Sequence, residues 1–285
     1  MKITILQGAF LPVPTLRGGA TEKMWFELGK QFFSKGHTVT HISRRFPGLP
    51  TSEIIDGVKH VRIKGYDWPA NPLAIKFFDL IYTLRSLGSL PQADILITNT
   101  FWAPILASRF QFRFGKIVVD VARIPKGQMR FYHSVACLRA NSSSVKNAIL
   151  AEAPHLANKV AIIPNPLPYN PPPLKTRKTE QIILFCGRIH PEKGIELLLR
   201  AFELACQRGL RNWSLRLVGS ADVSAGGGGS AWINQIVKKF ESDGLPVEWL
   251  GPLYNEQELQ DQYSRAPIFA YPSIADNGES FGMAP

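Results

Sequence analysis

Phe-Cys-Gly-Arg-Ile-His-Pro-Glu-Lys-Gly-Ile-Glu-Leu-Leu-Leu-Arg-Ala-Phe, residues 185–202, is the stretch from which the rest of the chain is best read. The apolar run 181–186 has the length and flanks of a buried strand and ends in a loop holding Gly187, Arg188, Lys193 and Gly194. A helix then opens with Ile195, Leu198, Leu199 and Phe202 on one face. Two cations in a glycine-bounded loop before a helix start suit a phosphate-bearing ligand, because the first amides of the helix and its dipole favour an anion. Arginine binds phosphate oxygens two at a time, and lysine adds a compact point charge. The spacing is neither Gly-x4-Gly-Lys-Ser/Thr nor Gly-x-Gly-x-x-Gly.

Outward from this loop, apolar strand-length runs alternate with helical patterns, which predicts parallel α/β architecture. Strands are expected at 2–7, 38–43, 57–63, 94–98, 116–121, 136–140 and 159–163. Helices are expected at 21–34 and 143–152. A second series of strands covers 181–186, 214–218, 247–250 and 268–271, with helices at 194–207, 231–241 and 255–264. Between the two series lie Pro164, Pro166, Pro168, Pro171, Pro172 and Pro173, followed by a basic stretch. Proline removes backbone donors and breaks periodic structure. The expected organisation is therefore a first domain over 1–165, a linker over 166–179 and a second domain over 180–285. The run 226–229, four glycines, falls where a long loop is expected.

The chain has 285 residues and a formal net charge of +11. Residues 1–165 carry 21 Lys and Arg against 9 Asp and Glu, whereas residues 166–285 carry 12 against 13. The excess suits an anionic partner for the first domain: a membrane surface, a lipid-linked phosphate or an acidic glycan. No zinc finger, basic leucine zipper or RNA-binding signature supports nucleic acid as that partner. Three scattered cysteines, Cys137, Cys186 and Cys206, lack metal-ligand spacing and fit reduced thiols in a cytoplasmic protein. Residues 72–90 read as an amphipathic segment with Phe77, Phe78, Leu80, Ile81 and Leu84, and with Lys76 and Arg85 near its ends. A core helix and a membrane-surface helix both explain it, the second implying a peripheral position on the inner face of a membrane.

Gly187-Arg188-Ile189-His190-Pro191-Glu192-Lys193-Gly194 between a strand and a helix resembles the donor-binding loop of glycosyltransferase family 4. In that family the Arg and the Lys grip the diphosphate of a nucleotide sugar. Arg17-Gly18-Gly19-Ala20 resembles the family's N-terminal glycine loop, so Gly18, Gly19 and Ala20 are candidates for phosphate or acceptor contact; a tight turn before a helix reads equally well. Lys35-Gly36-His37-Thr38-Val39 and Ile163-Pro164-Asn165-Pro166 resemble structural segments of the family. After Tyr271-Pro272-Ser273, the stretch Glu279-Ser280-Phe281-Gly282-Met283-Ala284-Pro285 resembles the opening of its Glu-x7-Glu motif. There the first Glu meets the donor sugar, and the amides after it approach sugar or diphosphate. The second Glu of that motif would fall two positions past Pro285, so the resemblance implies truncation and an incomplete second domain. The family often places a His after a central strand of the first domain; here Asp120 and Arg123 stand nearby, with a structural part for Asp120 at least as reasonable. Asn99-Thr100-Phe101-Trp102 is a candidate acceptor lining.

The resemblance implies a GT-B fold, two Rossmann-like domains with parallel sheets facing a cleft. It also implies a retaining glycosyltransferase that moves a sugar from a nucleotide-diphosphate donor to a glycan, lipid-linked or small-molecule acceptor. No bound metal or other cofactor is expected, with Arg188 and Lys193 neutralising the departing diphosphate. Two alternatives share that fold: a nucleotide-sugar epimerase and a non-catalytic nucleotide-sugar-binding fragment. A dinucleotide-dependent oxidoreductase fits less well, since the first loop lacks the glycine spacing it needs.

Overall fold

The computed structural model describes residues 1–16, 19–69, 71–166, 180–223 and 226–274. The chain divides into two compact units, each built on its own sheet. Most of the proline-rich linker at 166–179 lies outside the described residues.

The first unit contains β1 (Lys2–Leu6), α1 (Ala20–Ser34), β2 (Thr38–Arg44), β3 (Ser52–Ile55), β4 (Val58–Ile63), α2 (Pro72–Ser89) and β5 (Ile95–Thr98). It continues with α3 (Ala103–Ala107), α4 (Gln111–Phe114), β6 (Lys116–Val121), β7 (Cys137–Ala140), α5 (Ser143–Glu152) and β8 (Val160–Ile162). The strand order is β3-β4-β2-β1-β5-β6-β7-β8. Alternation along β1 sends Ile3 and Ile5 to a core with Met24 and Trp25 of α1, and Leu6 to the core on the other face.

Two features add to the expected pattern. The sheet is not wholly parallel, because β3 pairs antiparallel with β4 at its edge. The turn between them is Asp56-Gly57, with φ 48° and 81°. Positive φ at both positions is what a two-residue hairpin turn requires, so the Asp-Gly pair was a readable signal. The segment 99–115, to which the sequence assigns no element, holds α3, a 3-10 turn (Ser108–Phe110) and α4. These pieces are too short to show a helical period.

His41 of β2 and His60 of β4 lie in register and stack at 5.2 Å between ring centroids. Both are fully buried, and none of their four ring nitrogens has a hydrogen-bond partner among the described residues. Burial pushes His41 well below its ordinary range, with His60 and Arg62 adding to the effect. Burial, then Arg62, pushes His60 from 6.5 to about 4. A depressed folded value means the unfolded chain binds more protons below pH 6.5, so stability is lost as pH falls towards 4. For His60 alone the loss is about 3 kcal/mol. The urea midpoint is expected to fall steeply over that window and to fall less in His60→Leu; equal slopes would remove the histidine from the acid response.

The second unit contains β9 (Ile182–Cys186), α6 (Ile195–Gln207), β10 (Ser214–Val218), α7 (Ser230–Ser242), β11 (Val247–Trp249), α8 (Glu256–Arg265) and β12 (Ile268–Phe269). Its four strands run parallel in the order β11-β10-β9-β12. Ile195, Leu198, Leu199 and Phe202 of α6 are buried as their spacing predicts. Among the described residues no helix is long and apolar enough to cross a membrane.

Candidate functional site

At the carboxyl end of β9 the chain enters the loop 187–194 beside the loop that follows β10. Gly187 N donates to Val218 O at 3.0 Å and Ile189 N to Ser220 O at 2.9 Å. The two loops approach so closely that a Cβ on Gly219 would stand 1.7 Å from Gly187 O. His190 opens a 3-10 turn (Pro191–Lys193), its Nδ1 accepting from Glu192 N at 3.3 Å. Gly194, at φ 70°, then turns the chain into α6, whose first amides lack partners within the helix.

Arg188 is 49% exposed at its side chain. One guanidinium nitrogen donates to Gly226 O at 2.8 Å, and the other to Glu192 Oε1 at 3.0 Å. Lys193 is buried, with its ammonium 5.8 Å from the centre of the Tyr271 ring. The segment after β12 closes over this turn: Ile274 N donates to Glu192 O at 3.0 Å, and a Cβ on Gly194 would meet Pro272 O at 2.1 Å. A half-exposed guanidinium and a buried ammonium are therefore both carried by the loop that leads into α6, whose backbone is held in conformations that favour glycine. Such a cradle can hold an anion and stabilise charge growing on it.

The glycine run 226–229 is part of this construction. Gly228 N donates to Ile189 O at 2.8 Å, and Gly226 O holds Arg188. A Cβ on Gly227 would stand 2.2 Å from the Ala221 carbonyl carbon. In the sequence this run shows only as a glycine-rich loop; its contact with 187–194 is a product of the tertiary structure.

Glu279, Ser280, Phe281 and Gly282 lie outside the described residues, as does Gly18. Gly19 caps α1 at φ 110°, and Ala20 is the first residue of that helix. A Cβ on Gly19 would stand 2.5 Å from Glu22 Oε2, so a carboxylate occupies the ground beside this helix start. Burial raises that carboxylate above its ordinary range, against the lowering effects of its own backbone amide and of Arg123.

Asp120 ends up inside the first unit, with a side chain that is fully buried. One oxygen accepts from Trp25 Nε1 at 2.7 Å and the other from Arg139 at 2.5 Å. Arg139 in turn donates to Asn165 Oδ1 at 2.6 Å. With both oxygens committed, Asp120 ties α1, β6 and β7 together and reaches no open surface, so the geometry favours the structural part for it over the catalytic one.

At the carboxyl ends of β1 and β5, Asn99 Nδ2 donates to Gln7 Oε1 at 3.0 Å. The remaining amide atoms of this pair, Gln7 Nε2 and Asn99 Oδ1, are buried without a partner among the described residues. One is a donor and the other an acceptor, which matches the hydrogen-bonding capacity of a hydroxyl group. Strand ends of an open parallel sheet are also where ligands bind. Beside them, Asp79 accepts from Phe101 N at 3.0 Å and Trp102 N at 3.1 Å and so fixes the aromatic pair. Burial pushes Asp79 up to about 6 despite those two bonds. Among the described residues no group of three His, Cys, Asp or Glu stands close enough to hold a metal ion.

Comparison with known proteins gives a consistent result. Residues 170–285 match the family described as "Glycosyl transferases group 1". A putative glycosyltransferase, YtcC of Bacillus subtilis, is 25% identical over 236 residues, covering 73% of this chain and 54% of its own length. Spore coat protein SA of the same organism is 24% identical and is covered over 56% of its length. The chain thus spans about half the length of the curated relatives it matches. Among solved structures, sucrose-phosphate synthase from Thermosynechococcus elongatus superposes with a TM-score of 0.70 at 18% identity, over 99% of this chain and 77% of that one. HepE of Anabaena, solved with UDP, gives 0.61 at 14% identity, over 97% and 75%. The fold is GT-B.

Proposed function

We propose that this chain, whose residues 170–285 match the glycosyl transferases group 1 family, transfers a sugar from a nucleoside-diphosphate donor to a hydroxyl-bearing acceptor with retention of anomeric configuration. The observation that carries this reading is the loop at 187–194: it brings Arg188 and Lys193 into the segment that leads to the start of α6, on backbone fixed by Gly187, Gly194 and Gly219. The donor diphosphate lies on the first amides of α6. Arg188 and Lys193 stabilise the charge that grows on it as the bond from the anomeric carbon to phosphate oxygen breaks. The acceptor oxygen bonds to that carbon from the same face, and its proton passes to the departing phosphate oxygen. In this scheme side-chain cations, rather than a metal ion, neutralise the diphosphate.

By the family resemblance, Glu279 meets the donor sugar and the amides of Ser280, Phe281 and Gly282 approach sugar or diphosphate. The acceptor in this reading is a glycan, a lipid-linked sugar or a small molecule that bears a free hydroxyl. Solved neighbours carry UDP, UDP-glucose or ADP, which makes these nucleotides the first donors to try.

A thermal-shift screen of nucleoside-diphosphate sugars tests the donor assignment. At 100 times the dissociation constant, a ligand that binds only the native state adds about 2.7 kcal/mol. That raises the melting temperature by roughly 5 °C or more for a chain of this size. A screen in which no such sugar, and no nucleoside diphosphate, moves the transition would overturn the reading.

A further inference from the structure

Helix α2 packs Tyr82, with Ile75, Phe78 and Leu87 partly buried, against the core and leaves a second apolar stripe exposed. Its buried side chains include Asp79, Tyr82, Thr83 and Ser86, whereas Leu73, Phe77 and Leu84 are 75%, 59% and 55% exposed. At about 100° per residue, the three apolar side chains fall within about 40° of one another on the helix wheel. Asp79, Tyr82 and Ser86 fall on the opposite side. On that face Asp79 takes the amides of Phe101 and Trp102, and Ser86 Oγ donates to Tyr82 O at 2.8 Å, whereas the hydroxyls of Tyr82 and Thr83 are buried without a partner among the described residues. A cation borders the apolar stripe on each side, Lys76 and Arg85, both exposed.

The neighbouring segment continues the same chemistry. Trp102 Nε1 donates to Lys76 O at 2.9 Å near one end of α2, and Arg113 donates to Leu90 O at 2.8 Å just past the other. Residues 102–114 therefore run alongside the helix. They expose Phe112 (82%) and Phe110 (45%) together with Arg109 and Arg113. The sequence from 71 to 116 contains two acidic residues, Asp79 and Asp94. The first is buried, and the second accepts from Lys2 N at 2.7 Å.

We propose that α2 and the adjoining 108–114 segment form a docking surface for an anionic lipid bilayer, lying in the interface plane with Leu73, Phe77, Leu84 and Phe112 inserted among the acyl chains. A protein partner would also cover apolar side chains. Charge decides between them: exposed cations flank the stripe, and within 71–116 five Lys and Arg stand against two acids, Asp79, which is buried, and Asp94, which is exposed and bonded to a backbone amide. An exposed aromatic-aliphatic stripe bordered by Lys and Arg is the pattern of a helix that lies on a charged membrane. Each nearby cation adds attraction to an anionic leaflet, and that attraction is screened by salt. The proposal does not depend on glycosyl transfer, and its test does not read transfer.

The test is co-sedimentation with phosphatidylcholine vesicles in which about one third of the lipid is phosphatidylglycerol, against pure phosphatidylcholine. The chain is expected to pellet with the anionic vesicles, weakly with the neutral ones, and less at high salt. The double variant Phe77→Ser/Phe112→Ser is expected to partition at least about tenfold less. Both side chains are mostly exposed, so its melting temperature should stay near that of the parent. Lys76→Gln/Arg109→Gln should lose the preference for anionic lipid while keeping residual neutral binding. Unchanged partition of the double serine variant would overturn the proposal. So would failure to pellet combined with concentration-dependent self-association that the serine variant abolishes, which would assign the surface to a second copy. Failure to pellet without self-association would overturn it equally.

Discussion

Arg188→Ala is expected to lower turnover by about 100- to 1,000-fold, the usual cost of removing one group that stabilises transition-state charge. Its melting temperature should stay close to that of the parent. The two effects separate because Arg188 is half exposed and contributes little to the fold. Its ion pair with Glu192 lies at the surface, and exposed pairs contribute about 0–1 kcal/mol. Its bond to Gly226 O positions the guanidinium without burying it. Lys193 would make a poorer probe. It is buried against Tyr271, so its loss would mix packing with chemistry. Turnover and melting should be measured on the same preparations, with nucleoside diphosphate affinity alongside. Equal turnover in variant and parent would defeat the role given to this residue. Lost nucleotide affinity in a chain that never turns over would favour a binding fragment over an enzyme.

Gly219→Ala should cost more than about 3 kcal/mol and bring down the second unit. At φ 146° glycine is already the residue of choice, and the new Cβ would meet Gly187 O at 1.7 Å. Neither atom can swing away, since both belong to backbone at the ends of paired strands. Gly209→Ala is the control. It also has positive φ, 104°, but nothing stands within 4 Å of its Cβ. There only the backbone strain remains, about 1–2 kcal/mol. Urea denaturation of the two variants isolates the steric term. Equal losses would mean that the loops after β9 and β10 are not pressed together as described, and the cradle would lose its rigid floor.

Much of the architecture is legible along the chain. The apolar run before Gly187 is β9, the stripe Ile195, Leu198, Leu199 and Phe202 is the buried face of α6, and β6, β10 and α5 fall at the expected residues. These are local matters. A strand-length apolar run, a 3.6-residue period and a glycine at a turn carry their meaning within a dozen residues. The β3–β4 hairpin was also legible, through Asp56-Gly57, and went unread. The short helices of 103–114 were not, since four or five residues leave no period to detect.

What the candidate site needs beyond its motif was decided by packing. Arg188 takes its direction from Gly226, 38 residues away, and Asp120 spends both oxygens on Trp25 and Arg139. The orientation of α2 shows the division most plainly. Its sequence announces an amphipathic helix and leaves open which apolar side chains go inside. Tyr82, Ile75, Phe78 and Leu87 pack on the core while Leu73, Phe77 and Leu84 stay out, and Asp79 fixes the helix by taking the amides of Phe101 and Trp102, partners about two dozen positions further on. A local pattern determines that a helix forms and where its apolar stripe lies. Only the tertiary structure decides which side is buried, because that choice depends on hydrogen bonds between groups that chain distance keeps apart until the sheet assembles.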